Sequence, residues 1–232
     1  MIFKFKKFTL THKDDVFKFG TDAALLGVWS NLKDVNSVLE IGAGSGVITL
    51  MMAQRSVSTN FTGIDISVNA VNLAKENALN SPFTSRFEFM HSSLQNFESK
   101  EKFDLIVSNP PFFESSTKSP FTTKNTTRHT DTLSLNELLF HCKRLLSNDG
   151  VFQFIYPYRY IDDIKNITSK LDLFITEIIL TRSTVNKPIK RVIVSVSKKN
   201  QKLVERELII NGTFSGYTEE VFKLFQPYYL KL

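Results

Sequence analysis

Short apolar runs alternate with segments of helical periodicity from residue 37 to about residue 197. A short apolar run between turn residues is typical of a buried strand, whereas apolar residues three and four positions apart are typical of a helix. This alternation predicts an α/β fold in which helices cover both faces of a mostly parallel sheet. The predicted strands are SVLEIG (37–42), NFTGIDIS (60–67), RFEFMH (86–91), KFDLIVS (102–108), GVFQFIYP (150–157), LFITEIIL (173–180) and RVIVSVS (191–197), and the predicted helices are GVITLMMAQR (46–55), VNAVNLAKENALN (68–80) and SLNELLFHCKRLLS (134–147).

The composition narrows the class of protein. The chain has 232 residues, of which 42% are hydrophobic, and this suits one domain with a sizeable core. We expect this domain to span residues 1–232, with a core at 37–197 and extensions at 1–36 and 198–232. No apolar run approaches the roughly 18 to 20 residues of a membrane span. The N-terminus alternates apolar and charged residues and so lacks the apolar stretch of a signal peptide. We therefore expect a cytoplasmic protein that does not enter membranes.

The cysteine and histidine residues do not predict a metal site. The single Cys142 can form neither an internal disulfide framework nor a cysteine-cluster metal site. The residues His12, His91 and His141 show no metal-ligand spacing, and we expect His12 and His91 at the surface or at strand ends.

A glycine-rich stretch, LEIGAGSG (39–46), lies between the first predicted strand and the first predicted helix. Gly42, Gly44 and Gly46 permit a tight turn and let a ligand approach the backbone closely. Their spacing is G-x-G-x-G, whereas the dinucleotide fingerprint is G-x-G-x-x-G. Taken alone, the glycines also fit a purely structural strand–helix turn.

Two carboxylates flank the glycine stretch. Glu40 lies two residues before Gly42, where it would repel a phosphate but could serve an ammonium or sulfonium group. Asp65 lies 19 residues after Gly46, at the end of the second predicted strand, where an acidic residue accepts hydrogen bonds from ribose hydroxyls. Together these features predict a site for a nucleoside without phosphates. S-adenosylmethionine fits this description better than a nicotinamide dinucleotide does.

The stretch VSNPPFF (107–113) ends the fourth predicted strand. Prolines at this density end a strand, so Asn109 and Phe112 are expected at the carboxyl edge of the sheet, where ligands bind in such folds. The alternative is a turn that only terminates the strand, with a phenylalanine that belongs to the core.

With these motifs the chain resembles the class I S-adenosylmethionine-dependent methyltransferases, and NPPF (109–112) resembles their (Asn/Asp/Ser)-Pro-Pro-(Tyr/Phe/Trp) motif. The resemblance implies a doubly wound, mostly parallel, Rossmann-like methyltransferase sheet of seven strands with an antiparallel edge strand. It also implies S-adenosylmethionine as the cofactor and an amino group conjugated to a planar system as the methyl acceptor.

The implied chemistry gives each residue of the NPPF motif a role. An exocyclic amine of adenine is a poor nucleophile because its lone pair is delocalised into the ring, so positioning and electrostatics must supply the rate. The side-chain oxygen of Asn109 and the carbonyl of Pro110 would each accept one amine hydrogen. Pro111 would stiffen the backbone together with Pro110. Phe112 would stack on the base, which is worth roughly 1 to 3 kcal/mol.

The N-terminal stretch FKFKKFTLTHKDDVFKFGTDAALLGVW (3–29) resembles the start of a bacterial family that methylates N6 of the adenosine next to the anticodon in one valine tRNA. The resemblance continues through RHTDTLS (128–134) and YTEEVFKLFQPYYLKL (217–232). It implies that Thr21 and Asp22, with Phe19, border the methionine part of the cofactor. Read from the residues alone, Thr21 could simply cap the following helix. The residues that match the family pattern K-x-G-T-D-x-x-L-L-G-x-W are Lys18, Gly20, Thr21, Asp22, Leu25, Leu26, Gly27 and Trp29.

Two positions depart from the pattern of these relatives. Phe112 stands where tyrosine is common, although a phenyl ring still stacks. Ser93 stands where related enzymes usually carry an aspartate that accepts a hydrogen bond from the adenine amine of the cofactor. Ser93 accepts such a bond more weakly, unless the backbone and Leu94 suffice. Ile66 completes the expected cofactor-binding set.

The basic residues favour a polyanionic partner. The formal net charge is +6 and the isoelectric point is near 9.3. The alternative is a compositional bias such as that of an AT-rich genome, since the chain also carries 21 Phe. The expected partner is the anticodon stem-loop of a tRNA, because an anticodon loop is already single-stranded and flipping its base costs little free energy. We expect the protein to bind it as a monomer. The candidate RNA-binding residues are Lys4, Lys6 and Lys7 near the N-terminus, Lys118, Lys124, Arg128 and His129 in the polar loop 114–132, and Lys187, Lys190 and Arg191.

Other functions remain open on the sequence alone. NPPF also occurs in relatives that methylate guanine N2 of ribosomal RNA, so the motif does not fix the base. About 36 residues precede the first core strand, which leaves little room for the extra domains of release-factor and DNA methyltransferases. The polar loop 114–132 could be a solvated linker and not an RNA contact. A non-catalytic RNA-binding protein on the same scaffold is the remaining alternative.

Overall fold

The computed structural model describes residues 1–16, 19–110, 133–212 and 216–231. Short 3-10 turns at Thr84–Arg86 and Tyr158–Tyr160 precede a strand and a helix. The strands in the described ranges are β1 (Ile2–Lys4), β2 (Thr9–Thr11), β3 (Ser37–Ile41), β4 (Asn60–Asp65), β5 (Phe87–His91), β6 (Phe103–Ser108), β7 (Leu146–Pro157), β8 (Phe174–Arg182), β9 (Arg191–Ser197) and β10 (Val204–Ile209). The helices in the same ranges are α1 (Thr21–Trp29), α2 (Val47–Ala53), α3 (Val68–Leu79), α4 (Leu135–Leu145), α5 (Ile161–Lys170) and α6 (Glu219–Phe225).

Strands β3 to β10 form one sheet in the order β10-β8-β9-β7-β6-β3-β4-β5. The five strands from β7 to β5 along this order are parallel to one another. Strand β9 runs antiparallel to both β7 and β8, and β10 runs parallel to β8. The chain moves from β3 to β4 on one side and later returns to β6 on the other side. This reversal is the position at which α/β sheets bind ligands beyond the carboxyl ends of their strands.

The predicted α/β fold with a mostly parallel, doubly wound sheet is confirmed, but two details of the sheet are wrong. The described sheet has eight strands where seven were expected, because β10 was not predicted. The residues of β10 from Val204 to Glu207 are exposed and mostly charged, so this strand lacks the apolar run of an internal strand. The antiparallel strand β9 also lies inside the sheet and not at its edge. Its residues from Val192 to Ser197 are buried, as an internal position requires.

The core lies on both faces of the sheet, and β7 shows how the strands divide between the two faces. Ile155 packs in a cluster with residues of α1 and α2, whereas Phe152 and Phe154 pack in a second cluster with residues of α4 and α5. Successive residues of a strand point to opposite faces, so both faces of β7 are apolar and covered. No helix in the described ranges is long and apolar enough to cross a membrane.

The sequence analysis did not predict helix α5. Its fully buried residues are Ile164 and Thr168, and Ile161 and Ile167 are only partly buried against the same cluster. Such a narrow apolar stripe is weaker evidence for a helix than the broad stripe of α4, in which Leu138, Leu139, Cys142 and Leu145 are buried.

The N-terminal segment forms a hairpin of β1 and β2. This hairpin is joined to the C-terminal segment. The backbone of Phe5 bridges to that of Tyr229, and the N–H of Lys6 donates to the carbonyl oxygen of Tyr228 at 2.7 Å. The rings of Phe3 and Tyr229 also meet edge to face, with their centroids 5.7 Å apart. The two ends of the described chain therefore pack against each other.

Candidate active site

The glycine stretch forms a tight loop between β3 and α2. Gly42, Gly44 and Gly46 have φ angles of 72°, 55° and 74°, a region that side chains rarely adopt. The N–H groups of Gly42 and Ala43 both donate to the carbonyl oxygen of Ile64, at 2.9 and 3.0 Å, so the loop is tied to the end of β4. The loop therefore lies at the carboxyl edge of the sheet, at the reversal of strand order.

The three glycines face different surroundings. A β-carbon built at Gly42 or Gly44 would meet nothing within 4 Å. A β-carbon at Gly46 would lie 3.2 Å from Cζ of Phe89 and 3.4 Å from Cβ of Ala74. Gly42 and Gly44 thus border open space in which a ligand can approach the backbone, whereas Gly46 permits close packing of the loop on the core.

Asp65 is fixed at the end of β4 by the backbone. Its Oδ2 accepts a hydrogen bond from the N–H of Gly44 at 2.9 Å, and its Oδ1 accepts one from the N–H of Ser67 at 2.9 Å. Each carboxylate oxygen can accept a further hydrogen bond. The carboxylate therefore stands beside the open side of the glycine loop in a fixed orientation, as recognition of a diol requires.

Glu40 lies in the strand below the loop and is 1% exposed. Its Oε2 accepts a hydrogen bond from the N–H of Thr49 at 3.2 Å. Burial raises the pKa of Glu40 to about 8, and the neighbouring Asp65 adds a smaller rise, while hydrogen bonds from Thr49 oppose it. The sequence analysis did not single out Thr49. Thr49 is the third residue of α2, and the tight loop between β3 and α2 brings its N–H close to Glu40.

Thr21 and Asp22 are the first two residues of α1, and Phe19 precedes its cap residue Gly20. Oδ2 of Asp22 accepts a hydrogen bond from Nε of Arg191 at 2.9 Å, which joins α1 to the start of β9. The ring of Phe19 meets that of Phe3 edge to face at 5.4 Å. The alternative that Thr21 caps the helix is wrong, because Thr21 is the first helical residue and the cap position is occupied by Gly20, without a side-chain hydrogen bond.

The residues expected at the adenine end of a cofactor lie after β4 and β5. The side chain of Ile66 is 64% exposed, directly after Asp65. Ser93 is half-buried, and its Oγ accepts a hydrogen bond from the N–H of Asn96 at 3.3 Å. The side chain of Leu94 is buried in the core. The exposed apolar side chain of Ile66 is therefore the one that presents a surface to a flat ring.

Asn109 and Pro110 continue from the carboxyl end of β6. Ser108 is paired with Ile41 of β3, and its Oγ donates a hydrogen bond to the carbonyl oxygen of Ile41 at 3.0 Å. Because Gly42 follows Ile41 and Asn109 follows Ser108, the motif emerges directly beside the glycine loop. Asn109 is half-buried and Pro110 is buried. Pro111 and Phe112 lie outside the described residues.

The candidate RNA-binding residues are spread over two described regions. Lys4, Lys6 and Lys7 are exposed on the N-terminal hairpin, and Nζ of Lys6 donates a hydrogen bond to the carbonyl oxygen of Gln226 at 2.6 Å. Lys187 and Lys190 are exposed between β8 and β9. Arg191 differs from them because it is half-buried and paired with Asp22. The candidates Lys118, Lys124, Arg128 and His129 lie outside the described residues.

His12 and His91 lie at strand ends, which was one of the two locations expected for them. His12 directly follows β2, and His91 ends β5. His91 is exposed and His12 is 6% exposed, so His12 meets the expectation of a strand end and not that of the surface.

The family of the chain follows from comparison with known proteins. The family model of the methyltransferase small domain matches residues 8–156, more than half of the chain. The chain belongs to the methyltransferase small domain family. The resemblance inferred from the glycine and NPPF motifs is thereby confirmed.

Two relatives that resemble the chain over nearly its full length carry the same name. The tRNA1(Val) (adenine(37)-N6)-methyltransferase of Pseudoalteromonas translucida is 35% identical over 99% of this chain and 99% of that protein. The protein of the same name from Christiangramia forsetii is 37% identical over 99% of this chain and 98% of that protein. Among solved structures, a predicted O-methyltransferase from Agrobacterium tumefaciens has a TM-score of 0.65 at 19% identity, covering 89% of this chain and 96% of that chain. This last likeness shows the fold alone.

Proposed function

We propose that this protein transfers a methyl group from S-adenosylmethionine to N6 of the adenosine next to the anticodon of a valine tRNA. The observation that carries the reaction type is the position of Asn109 directly beside the open glycine loop, held there by the bond between Ser108 and Ile41. The names of relatives that match the chain from end to end support the substrate.

The residues at the glycine loop fit S-adenosylmethionine. Gly42 and Gly44 leave room for close approach to the backbone, and the fixed carboxylate of Asp65 can accept hydrogen bonds from two ribose hydroxyls. Ile66 offers an apolar face to the adenine ring, beside Ser93 and the backbone of Leu94. When bound, the cofactor supplies a methyl group activated by its sulfonium charge.

Glu40 and the start of α1 would bind the amino-acid end of the cofactor. A phosphate would be repelled by Glu40, whereas an ammonium or sulfonium group favours the ionised form of this carboxyl group. Thr21 and Asp22, with Phe19 behind them in the aromatic cluster, would border the methionine part. Gly46 supports this site through packing.

The NPPF motif would position the methyl acceptor. The side-chain oxygen of Asn109 and the carbonyl oxygen of Pro110 each accept one hydrogen of the adenine amine, which directs the nitrogen lone pair at the methyl carbon. In this proposal Pro111 would stiffen the motif and Phe112 would stack on the base. With the cofactor bound, the amine held by Asn109 and Pro110 would accept the methyl group from the sulfonium sulfur, and the proton released from the amine would go to solvent.

The exposed cations would bind the phosphates that flank the target base. Four of these cations are exposed in the structure: Lys4, Lys7, Lys187 and Lys190. The ammonium group of Lys6 also donates a hydrogen bond to a backbone carbonyl oxygen. Each phosphate contact adds to the salt dependence of RNA binding. A tRNA substrate also implies a cytoplasmic enzyme, which we propose acts as a monomer. The polar-loop residues Lys118, Lys124, Arg128 and His129 complete the proposed RNA-binding set, whereas Arg191 is paired with Asp22.

The test is methyl transfer from labelled S-adenosylmethionine to total tRNA and ribosomal RNA from a strain that lacks the gene, followed by nucleoside mass spectrometry. We expect N6-methyladenosine in one valine tRNA. Label in ribosomal RNA alone, or as N2-methylguanosine, would keep the chemistry and overturn the substrate. The absence of transfer to either RNA would favour a non-catalytic RNA-binding protein.

A further inference from the structure

The ion pair between Asp22 and Arg191 connects residues that the sequence assigned to different functions. Asp22 was expected to border the cofactor and Arg191 to contact RNA, and 169 positions separate them. In the structure Nε of Arg191 lies 2.9 Å from Oδ2 of Asp22, and the two side chains are 25% and 29% exposed. A pair that is mostly withdrawn from water in this way is screened less than a pair on an open surface.

Asp22 lies at the same edge of the sheet as the glycine loop. Its partner Arg191 is paired with Pro157 at the carboxyl end of β7, and the glycine loop follows the carboxyl end of β3 in the same sheet. Helix α1 also packs on α2, because a β-carbon on Gly27 would touch Met51 and Nη2 of Arg55 donates to the carbonyl oxygens of Gly27 and Ser30 at 2.9 and 2.7 Å. The ion pair therefore lies at the carboxyl edge of the sheet, where ligands bind in such folds.

Arg191 is held firmly on the other side of the pair. Its backbone is paired with Pro157 of β7 and Thr181 of β8, and its carbonyl oxygen accepts a hydrogen bond from Oγ1 of Thr181 at 3.3 Å. Its Nη1 donates to the carbonyl oxygen of Lys190 at 3.3 Å. A planar guanidinium that is fixed in this way can set the orientation of a carboxylate.

We propose that Arg191 is a positioning residue of the cofactor site, and that it orients the Asp22 carboxylate toward the amino-acid end of the cofactor. Oδ2 of Asp22 is taken by Arg191, which leaves Oδ1 for the ligand. The proposal rests on the cofactor site described under the proposed function. It removes Arg191 from the RNA-binding surface, because a phosphate would have to displace Asp22 from a half-buried guanidinium. Lys187 and Lys190 in the same basic segment are exposed and remain candidates for RNA binding.

The test compares Arg191→Ala with Lys190→Ala in the full chain. Calorimetry measures the affinity for S-adenosylmethionine, and filter binding measures the affinity for tRNA over a range of salt concentrations. We expect Arg191→Ala to weaken cofactor binding and raise the KM for the cofactor on the order of 5- to 10-fold, a size usual for coupling between neighbouring groups. Its tRNA affinity and salt slope should equal those of the unmodified protein. Lys190→Ala is the matched control. It should lower the tRNA affinity and the salt slope and leave the affinity for S-adenosylmethionine unchanged.

Further variants separate positioning from a general loss of structure. Arg191→Lys keeps the charge, so it should recover part of the cofactor affinity, and Asp22→Asn combined with Arg191→Ala should weaken binding little more than Asp22→Asn alone. Unchanged cofactor affinity in Arg191→Ala would overturn the proposal. So would a lower tRNA affinity with a reduced salt slope, or failure of Arg191→Lys to recover any cofactor affinity. If the unmodified protein bound no S-adenosylmethionine, the proposed function itself would fail.

Discussion

Glu40 is an acid in an environment that favours its neutral form. Burial raises the pKa of its carboxyl group to about 8 from an ordinary value of 4.5. In the unfolded chain the group releases its proton near the ordinary value. Between these two pH values the folded protein therefore binds more protons than the unfolded chain, and its stability falls as the pH rises through this window.

Replacing Glu40 by Gln removes this titration while keeping a neutral side chain of the same shape. We expect the free energy of unfolding of the ligand-free protein to fall between pH 5 and about 8, and to fall less steeply in Glu40→Gln. Urea unfolding at several pH values measures both slopes. Equal slopes for the two proteins would show that Glu40 ionises normally in the folded state.

Asn109 is the described residue on which the proposed chemistry depends most. We expect Asn109→Ala to lower kcat by about 100-fold or more, a loss usual for removal of a preorganised polar group, while cofactor affinity changes little. Asn109→Asp keeps an acceptor oxygen and should retain more activity than the alanine variant. Single-turnover methylation of tRNA and calorimetry with S-adenosylmethionine separate the two effects. Full activity in Asn109→Ala would contradict the role given to the motif.

At the scale of structural elements, the glycine loop combines a ligand-facing side and a core-facing side. Both Gly44 and Gly46 have positive φ angles, so alanine is strained at either position, by about 1 kcal/mol or more. At Gly46 the added methyl group would also press on Phe89 and Ala74, whereas at Gly44 it would enter open space.

These two positions therefore form a matched pair of variants. We expect Gly46→Ala to lose about 1 to 3 kcal/mol more stability than Gly44→Ala, because overpacking adds to the strain. Gly44→Ala should fold and bind S-adenosylmethionine more weakly, since its methyl group occupies ligand space. Urea unfolding and calorimetry provide the two measurements. A larger stability loss in Gly44→Ala would mean that the loop faces the other way.

The elements that could be predicted from the sequence are those with a strong apolar pattern. Strands β3, β4 and β6 and the helices between them have buried faces that the alternation of apolar runs reveals directly. Helix α5 and strand β10 bury few side chains, so their sequences resemble solvent-exposed loops. Their places are determined by contacts with the completed sheet, which local periodicity does not report.

The candidate site was predictable where its residues follow strand ends. Glu40, Gly42, Asp65 and Asn109 follow or end neighbouring parallel strands, so they reach one edge of the sheet by topology alone. The bond between Asp22 and Arg191 has no such local signal, because any of many cations could have paired with this acid. The division of the chain into one domain with two extensions stays a prediction.

At the scale of the whole molecule, the C-terminal segment supports the N-terminal part of the site. The ring of Tyr229 contacts those of Phe3, Phe5 and Phe225, with centroids 5.2 to 5.7 Å apart, and Phe19 packs on the same cluster. Burial raises the pKa of the Tyr229 hydroxyl to about 12, so the ring stays neutral at physiological pH.

Replacing Tyr229 therefore tests whether the two ends of the chain act together. We expect Tyr229→Ala to lose about 2 kcal/mol of stability, less than a fully buried aromatic residue because Tyr229 is half-buried, and to weaken cofactor binding through Phe19 and α1. Tyr229→Phe keeps the ring and should behave like the unmodified protein. Thermal unfolding measures the loss of stability, and calorimetry measures the affinity for S-adenosylmethionine. Intact cofactor affinity in a folded Tyr229→Ala would separate the aromatic cluster from the site.

The hydrogen bond from Lys6 to Tyr228 has a consequence for how the protein is made. On the ribosome, the hairpin of β1 and β2 emerges before the sheet, whereas its partners at residues 217–231 emerge after every strand of the sheet. The aromatic cluster behind Phe19 can close only when translation has passed those residues. A nascent chain that already contains the glycine loop and Asn109 therefore cannot complete the site until residues 217–231 have also been made.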